Sequence, residues 1–229
     1  LHCKIIASGN VTDHTTKMIN HYLGFHDWDK EAATIQAFHS ANSIDQKKNF
    51  IKKDKALQSA IRIGKKLFTR EHQDYHGMLV LNTVLGGYFG SRLMANIRED
   101  KGYTYGIGSA VASMMKEGYF VIATEVGVDV CNNALKEIYF EINRLKQELI
   151  PEAELEIVRN YMLGSFLRSI DGPFELADKF KNILFHGLGY DYYQNFLKTI
   201  RTITPDELQS LAQKYLQEES LYELVVGDR

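Results

Sequence analysis

Apolar residues recur along this chain with two different periods, and the points where the period changes mark its elements. In residues 57–68, Ile61 and Ile63 alternate with Arg62, which predicts a strand with one buried face. From about residue 73 to 85, Met78, Leu79, Val80, Leu81, Val84 and Leu85 wrap most of a helix circumference, so this helix is expected deep in the core. Gly86-Gly87 ends it, and Ser91 starts a second, short helix through Arg98. Residues 105–115 and 119–126 read as paired strands joined by a tight Lys116-Glu117-Gly118 turn. On the first of these, Gly106, Gly108, Ala110 and Ala112 share one face, small enough for another backbone or helix to approach closely.

The rest of the pattern is mostly helical. Asp129 is expected to cap a helix whose stripe is Ala134, Leu135, Ile138, Ile142 and Leu145. Pro151 starts another, with Glu152 and Glu154 in the first turn, where the helix dipole favours acids. Pro173 starts a third, and residues 191–199 form a short fourth. Thr204-Pro205-Asp206-Glu207 is a capping box leading into Leu208, Leu211, Ala212 and Tyr215. Residues 221–226 close the chain as an apolar strand. At the other end, residues 4–7 read as a short strand that Ser8-Gly9-Asn10 turns towards a helix capped near Asp13. Residues 25–46 have no period and read as a surface connection. With no composition break and no repeat of solenoid length, the expectation is a single α+β domain over residues 1–229. It should be a two-layer domain, a mainly antiparallel or mixed sheet with helices packed on one face.

Charge and composition narrow the function classes. A net charge of −2 supplies no field to recruit nucleic acid or anionic lipid. Lys47, Lys48, Lys52, Lys53 and Lys55 therefore read as a solvated lead-in to the next strand, not a nucleic-acid patch. No apolar run approaches the ~20 residues of a helical membrane span. Cys3 and Cys131 can form one bridge at most and lack the clustering of a zinc ribbon. The chain opens on Leu1 without a basic leader, which reads as a piece of a longer gene product.

His72 and His76 stand one helical turn apart, the spacing with which zinc helices begin. A zincin needs Glu directly after the first His, where Gln73 stands; an inverted zincin needs Glu directly before the second, where Tyr75 stands. A metal-bound water would then lack its general base, so two partly exposed histidines at a helix start is the favoured reading. A stand-alone metal hydrolase using this pair would need a third ligand that the sequence does not identify. His14 and His21, seven apart, are weaker. No serine sits in a nucleophile elbow, and neither cysteine has a local catalytic partner. The segment from Gly86 to Arg92 lacks phosphate-loop spacing, and Gly106-Ile107-Gly108 lies within a strand rather than between strand and helix.

The informative stretch is LNTVLGGYFGSRLMANIREDKGYTYGIG. Asn82, Leu85-Gly86-Gly87, Phe89, Ser91-Arg92-Leu93, Arg98-Glu99, Gly102 and Tyr105 follow in order the pattern of a non-catalytic domain of the pitrilysin/insulinase zinc metallopeptidases. The chain resembles that family, which includes the mitochondrial processing peptidase, over essentially its whole length. IIASGNV, residues 58–64, Thr204-Pro205-Asp206-Glu207 and LVVG add to the match. The resemblance implies two similar domains facing each other across a chamber, one with an H-x-x-E-H zinc motif and a later Glu ligand. This chain lacks that motif, so the resemblance implies the other kind of domain. No cofactor is then expected in this chain, and zinc is expected in the partner catalytic domain. That partner sits on the same polypeptide or a second subunit; peptide is the substrate, no nucleic acid is involved, and a dimer is possible. The resemblance also assigns Arg98, and Tyr105 seven positions later, to substrate contact and oxyanion support at the partner's site. Preorganised donors aimed at a developing oxyanion lower the barrier, and a phenol and a rigid guanidinium fork can supply them. The competing arrangement pairs Arg98 with Glu99 or Asp100 and packs Tyr105 away. Tyr103 is a secondary candidate, expected on the same strand face as Tyr105. The alternative from another class is a scaffolding subunit resembling respiratory-complex core proteins, without peptidase activity.

Overall fold

The structure, a computed structural model, describes residues 4–24 and 45–228. Internal contacts divide the chain into two units. One comprises Leu1–Ser43 with Ser165–Gly189, the other Ile44–Gly164 with Tyr190–Arg229. In the first, α1 (Asp13–Ile19) opens on a capping box between Thr12 and Thr15 and runs into a π-helical turn, Asn20–Gly24. α5 (Pro173–Phe185) has its proline in the first turn, where the missing N–H costs nothing. The hydroxyl of Ser8 donates to the carbonyl of Pro173. Residues 4–7 form no strand, and Ile5 is about half exposed. A four-residue apolar run becomes a strand only with a neighbour to pair with. The expected surface connection lies, for residues 25–44, outside the described residues.

The second unit holds a five-stranded mixed sheet in the order β1-β5-β2-β4-β3. Its strands are β1 (Lys48–Lys52), β2 (Gln58–Leu67), β3 (Ile107–Ser113), β4 (Gly118–Gly127) and β5 (Tyr222–Gly227). β1 runs parallel to β5, and every other pairing is antiparallel. Alternation sets the faces, since successive side chains of a strand point to opposite sides. Ile61, Ile63, Phe120, Ile122, Val126 and Val225 are buried, whereas Arg62, Tyr119, Glu125 and Leu224 on the intervening positions are exposed. The register places Ile61 opposite Thr124 and Val225, and Ile63 opposite Ile122, so one face is continuous across three strands.

Helices cover that face. α2 (Tyr75–Asn82) is followed by a π-helical turn, Thr83–Gly87; α3 spans Cys131–Gln147, α4 Glu152–Arg168, α6 Asp191–Thr202 and α7 Pro205–Tyr215. α3 buries Ala134, Leu135, Ile138, Ile142 and Leu145, the stripe its sequence predicts, and Cys131 joins them in the core. α7 opens on the expected capping box: the Thr204 hydroxyl accepts from the Glu207 N–H at 3.2 Å, and the Glu207 carboxylate accepts from the Thr204 N–H at 2.8 Å. Asp129 does not cap α3; it lies in a 3-10 turn, Val128–Val130, with a carboxylate oxygen close over Gly127. The lysine-rich lead-in contains the edge strand β1. There Lys48 pairs with Glu218 at 2.9 Å, and the Lys47 ammonium lies 3.7 Å from the centre of the Tyr222 ring. None of the described helices is long and apolar enough to cross a membrane.

Candidate functional site

The expected site residues lie on the segment joining α2 to β3. The π-helical turn at the end of α2 presses against β3 at Gly86. A Cβ there would stand 2.6 Å from the Ser109 hydroxyl and 2.7 Å from its backbone nitrogen, so only glycine admits this approach. Gly86→Ala should therefore lower unfolding free energy by ~1–3 kcal/mol in chemical denaturation, since backbone on both sides resists relaxation. After the turn at residues 88–90 a second, mostly π-helical segment, Met94–Asp100, carries Arg98. Gly102, at φ +66°, ends it in the left-handed region, and the Tyr103 N–H returns to the Ile97 carbonyl at 3.0 Å.

The next three residues place the site. The Thr104 hydroxyl accepts from the Gly106 N–H at 3.1 Å and lies 2.7 Å from the Glu125 carbonyl, and the Thr124 hydroxyl donates to the Gly106 carbonyl at 2.9 Å. Side chains thus do the work of ladder bonds, and β3 begins only at Ile107 rather than at residue 105. Outside the ladder, Tyr105 is 95% exposed. Arg98 Nε donates to the Tyr105 carbonyl at 3.0 Å, its Nη1 pairs with the Glu99 carboxylate, and its guanidinium lies 4.7 Å from the centre of the Phe89 ring. Beside this group opens a cleft of about 410 Å³ lined by Tyr88, Phe89, Met94, Ile107 and the backbone of Gly86, Gly87, Gly106 and Gly108, with no ionisable group but the Tyr88 phenol.

The structure therefore brings Arg98 and Tyr105 together, through the backbone of residue 105. It also contains half of the competing arrangement: Arg98 does pair with Glu99, but Tyr105 is not packed away. Tyr103 departs from expectation. It is half-buried against the core while Tyr105 is in solvent, because a turn rather than a strand separates them. The small-residue face of β3 meets the α2 turn at Gly108, where a Cβ would stand 3.4 Å from the Gly86 carbonyl oxygen, but the face the helices mainly cover is the other one. Ile107, Ser109 and Val111 meet the core and the α2 turn, and a Cβ at Gly106 would meet nothing within 4 Å.

The donor set of the histidine pair does not suit a metal. His72 precedes α2; its ring stacks on Phe68 at 3.9 Å and its Nδ1 accepts from the Asp74 N–H at 3.1 Å. His76 lies among Tyr75, Tyr192 and Phe196, with its Nε2 buried and unpartnered among the described residues. Among the described residues no three His, Cys, Asp or Glu side chains group as a metal site would require. Burial holds His76 well below the usual imidazole range, at about 4. The unfolded chain takes up this proton near pH 6.5. Stability is therefore complete above that pH and should fall as pH drops towards 4; denaturation midpoints in His76→Leu should lose this part of the dependence.

Several contacts here have little or no counterpart in the sequence pattern. The contact of Phe89 with Arg98 has no spacing signature. The Thr-x-Gly step at residues 104–106 is a weak side-chain turn signal. Arg92, within the quoted motif, donates through Nε and Nη2 to both carboxylate oxygens of Glu154 at 2.8 Å, tying this segment to the first turn of α4. Below it Asn96 donates to Glu137 at 3.0 Å and to the buried Glu141 at 2.8 Å.

The helix-covered mixed sheet is an α+β domain. A family model described as the peptidase M16 inactive domain matches residues 1–162, and the chain belongs to that family. It is 24% identical over 224 residues to the uncharacterized zinc protease YmxG of Bacillus subtilis (strain 168), covering 96% of this chain and 53% of that protein. The chain thus spans about half the length of that relative. A peptidase M16 inactive domain from Pseudomonas fluorescens superposes with a TM-score of 0.73 at 22% identity, over 80% of this chain and 43% of that one. A protease from Helicobacter pylori gives 0.79 at 17% identity, over 96% and 54%. These two likenesses establish the fold.

Proposed function

We propose that this chain is the non-catalytic, substrate-contacting half of a zinc metalloendopeptidase, completing a chamber with an H-x-x-E-H domain that holds the zinc. One observation carries the reading: an exposed phenol and a guanidinium, tied through a single backbone carbonyl, stand at the lip of an open cleft with no charged lining. Among the described residues neither the Tyr105 hydroxyl nor Arg98 Nη2 has a partner, so both are available to a substrate. The phenol O–H donates to a peptide carbonyl oxygen as negative charge develops on it. The guanidinium edge donates to a neighbouring backbone carbonyl and fixes the peptide's register. The sheet face opposite the helices, with Ala60, Gly64, Ala110 and Ala123 between larger side chains, suits the wall of such a chamber.

Adding this chain to its catalytic partner, expressed separately, tests the proposal: peptide hydrolysis is expected in the mixture and not from this chain alone. No gain on mixing would remove it and leave the scaffolding role. Zinc titration of the chain by calorimetry is a second check. It should show no stoichiometric tight site, and finding one would restore the histidine pair as a metal centre.

A further inference from the structure

We infer that Phe89 is a positioning residue for Arg98, and that the glycine turn after α2 acts on the site through this ring. The inference rests on Arg98 as a substrate contact for its consequence in catalysis, but its physical content can be measured without any reaction. Arg98 is a long side chain on the outer side of a segment whose Met94 and Ile97 are buried, its side chain 32% accessible, and such a side chain samples many rotamers unless its head is held. Three contacts hold it. Nε donates to the Tyr105 carbonyl, Nη1 pairs with Glu99, and the Phe89 ring lies against the guanidinium, 4.7 Å from its central carbon.

These contacts fix different freedoms. Glu99 is the next residue in sequence and is itself about half exposed, so it can follow the guanidinium wherever it swings. The Tyr105 carbonyl fixes one point, about which the fork can still tilt. The ring face constrains that tilt, because a planar delocalised cation is attracted over an aromatic face. Together the carbonyl and the ring keep Nε on residue 105 and leave the Nη2 edge for a substrate.

Phe89 is in turn placed by what precedes it. Gly86 is locked against Ser109, and a Cβ at Gly90 would stand 2.8 Å from the Tyr88 ring. The turn therefore has little room to carry Phe89 elsewhere, although the ring remains 67% exposed. That exposure makes the substitution clean, since removing the ring opens no cavity in the core.

The test uses the full-length protein with ¹⁵N-labelled arginine, following exchange of the Arg98 Nε proton with water, and turnover in the assembled enzyme. Phe89→Leu should speed exchange about two- to fivefold, the factor an exposed cation–π contact supplies, while Phe89→Tyr should match the parent. Turnover efficiency should fall by a similar factor in Phe89→Leu, appearing mainly in KM, and the change should have no further effect in an Arg98→Ala background. Unchanged exchange in Phe89→Leu at an unchanged thermal midpoint would overturn the inference. Faster exchange with unchanged turnover would instead uphold the positioning and sink Arg98 as a substrate contact.

Discussion

Tyr105→Phe should lower the peptide turnover of the assembled enzyme about 100-fold, as loss of an oxyanion donor typically does, while leaving this chain's thermal midpoint where it was. The two halves of that expectation come from one fact. Tyr105 is 95% exposed and its hydroxyl contacts no described residue, so its removal takes nothing from the fold. The substitution keeps the ring, and the backbone around position 105 would still be held by Thr104 and Arg98, so the loss belongs to the single O–H. It should appear in kcat with little change in KM, because the bond strengthens only as charge develops on the substrate oxygen. Equal kcat in the two proteins would end the proposed role.

Arg92→Met should cost about 3 kcal/mol of unfolding free energy, towards the lower end for a broken buried pair because Glu154 keeps some contact with water. The Arg92 side chain is 7% exposed and shares two parallel bonds with Glu154; its buried Nη1 has no partner among the described residues. Desolvation of that nitrogen is thus never repaid. The Arg92→Met/Glu154→Leu double variant should therefore recover at least half of the loss, giving a positive coupling in a double-mutant cycle. Chemical denaturation of the four proteins decides the matter. A single-variant loss below ~1 kcal/mol would mean that the fork contributes no more than a surface pair.

Legibility in the sequence followed the local character of each interaction. β2, the β3–β4 hairpin, α3 and α7 are readable because their periods, and for α7 also its cap, lie within a few residues of one another. β1 is not. Its lysines look like a solvated stretch, and what makes it a strand is parallel pairing with β5, far away in sequence. Residues 4–7 differ in the opposite sense, apolar enough but paired with no described strand. The site divides in the same way. Arg98 and Tyr105 came from a resemblance in ordered motifs; periodicity alone would have put Tyr103 and Tyr105 on one strand face. The Thr104 hydroxyl, a single side chain replacing backbone bonds, prevents that. The rings and carboxylates that fix Arg98 and Arg92 are contacts made by tertiary structure, and no spacing rule announces them.

The position of β5 has a consequence for synthesis on the ribosome. It lies inside the sheet between β1 and β2, and the Ser59 hydroxyl accepts from the Asp228 N–H across 169 positions of chain. Until residues 222–227 emerge from the exit tunnel, the nascent β1 and β2 must wait with facing edges unpaired, a state that invites chaperone capture or misjoining with a neighbouring chain.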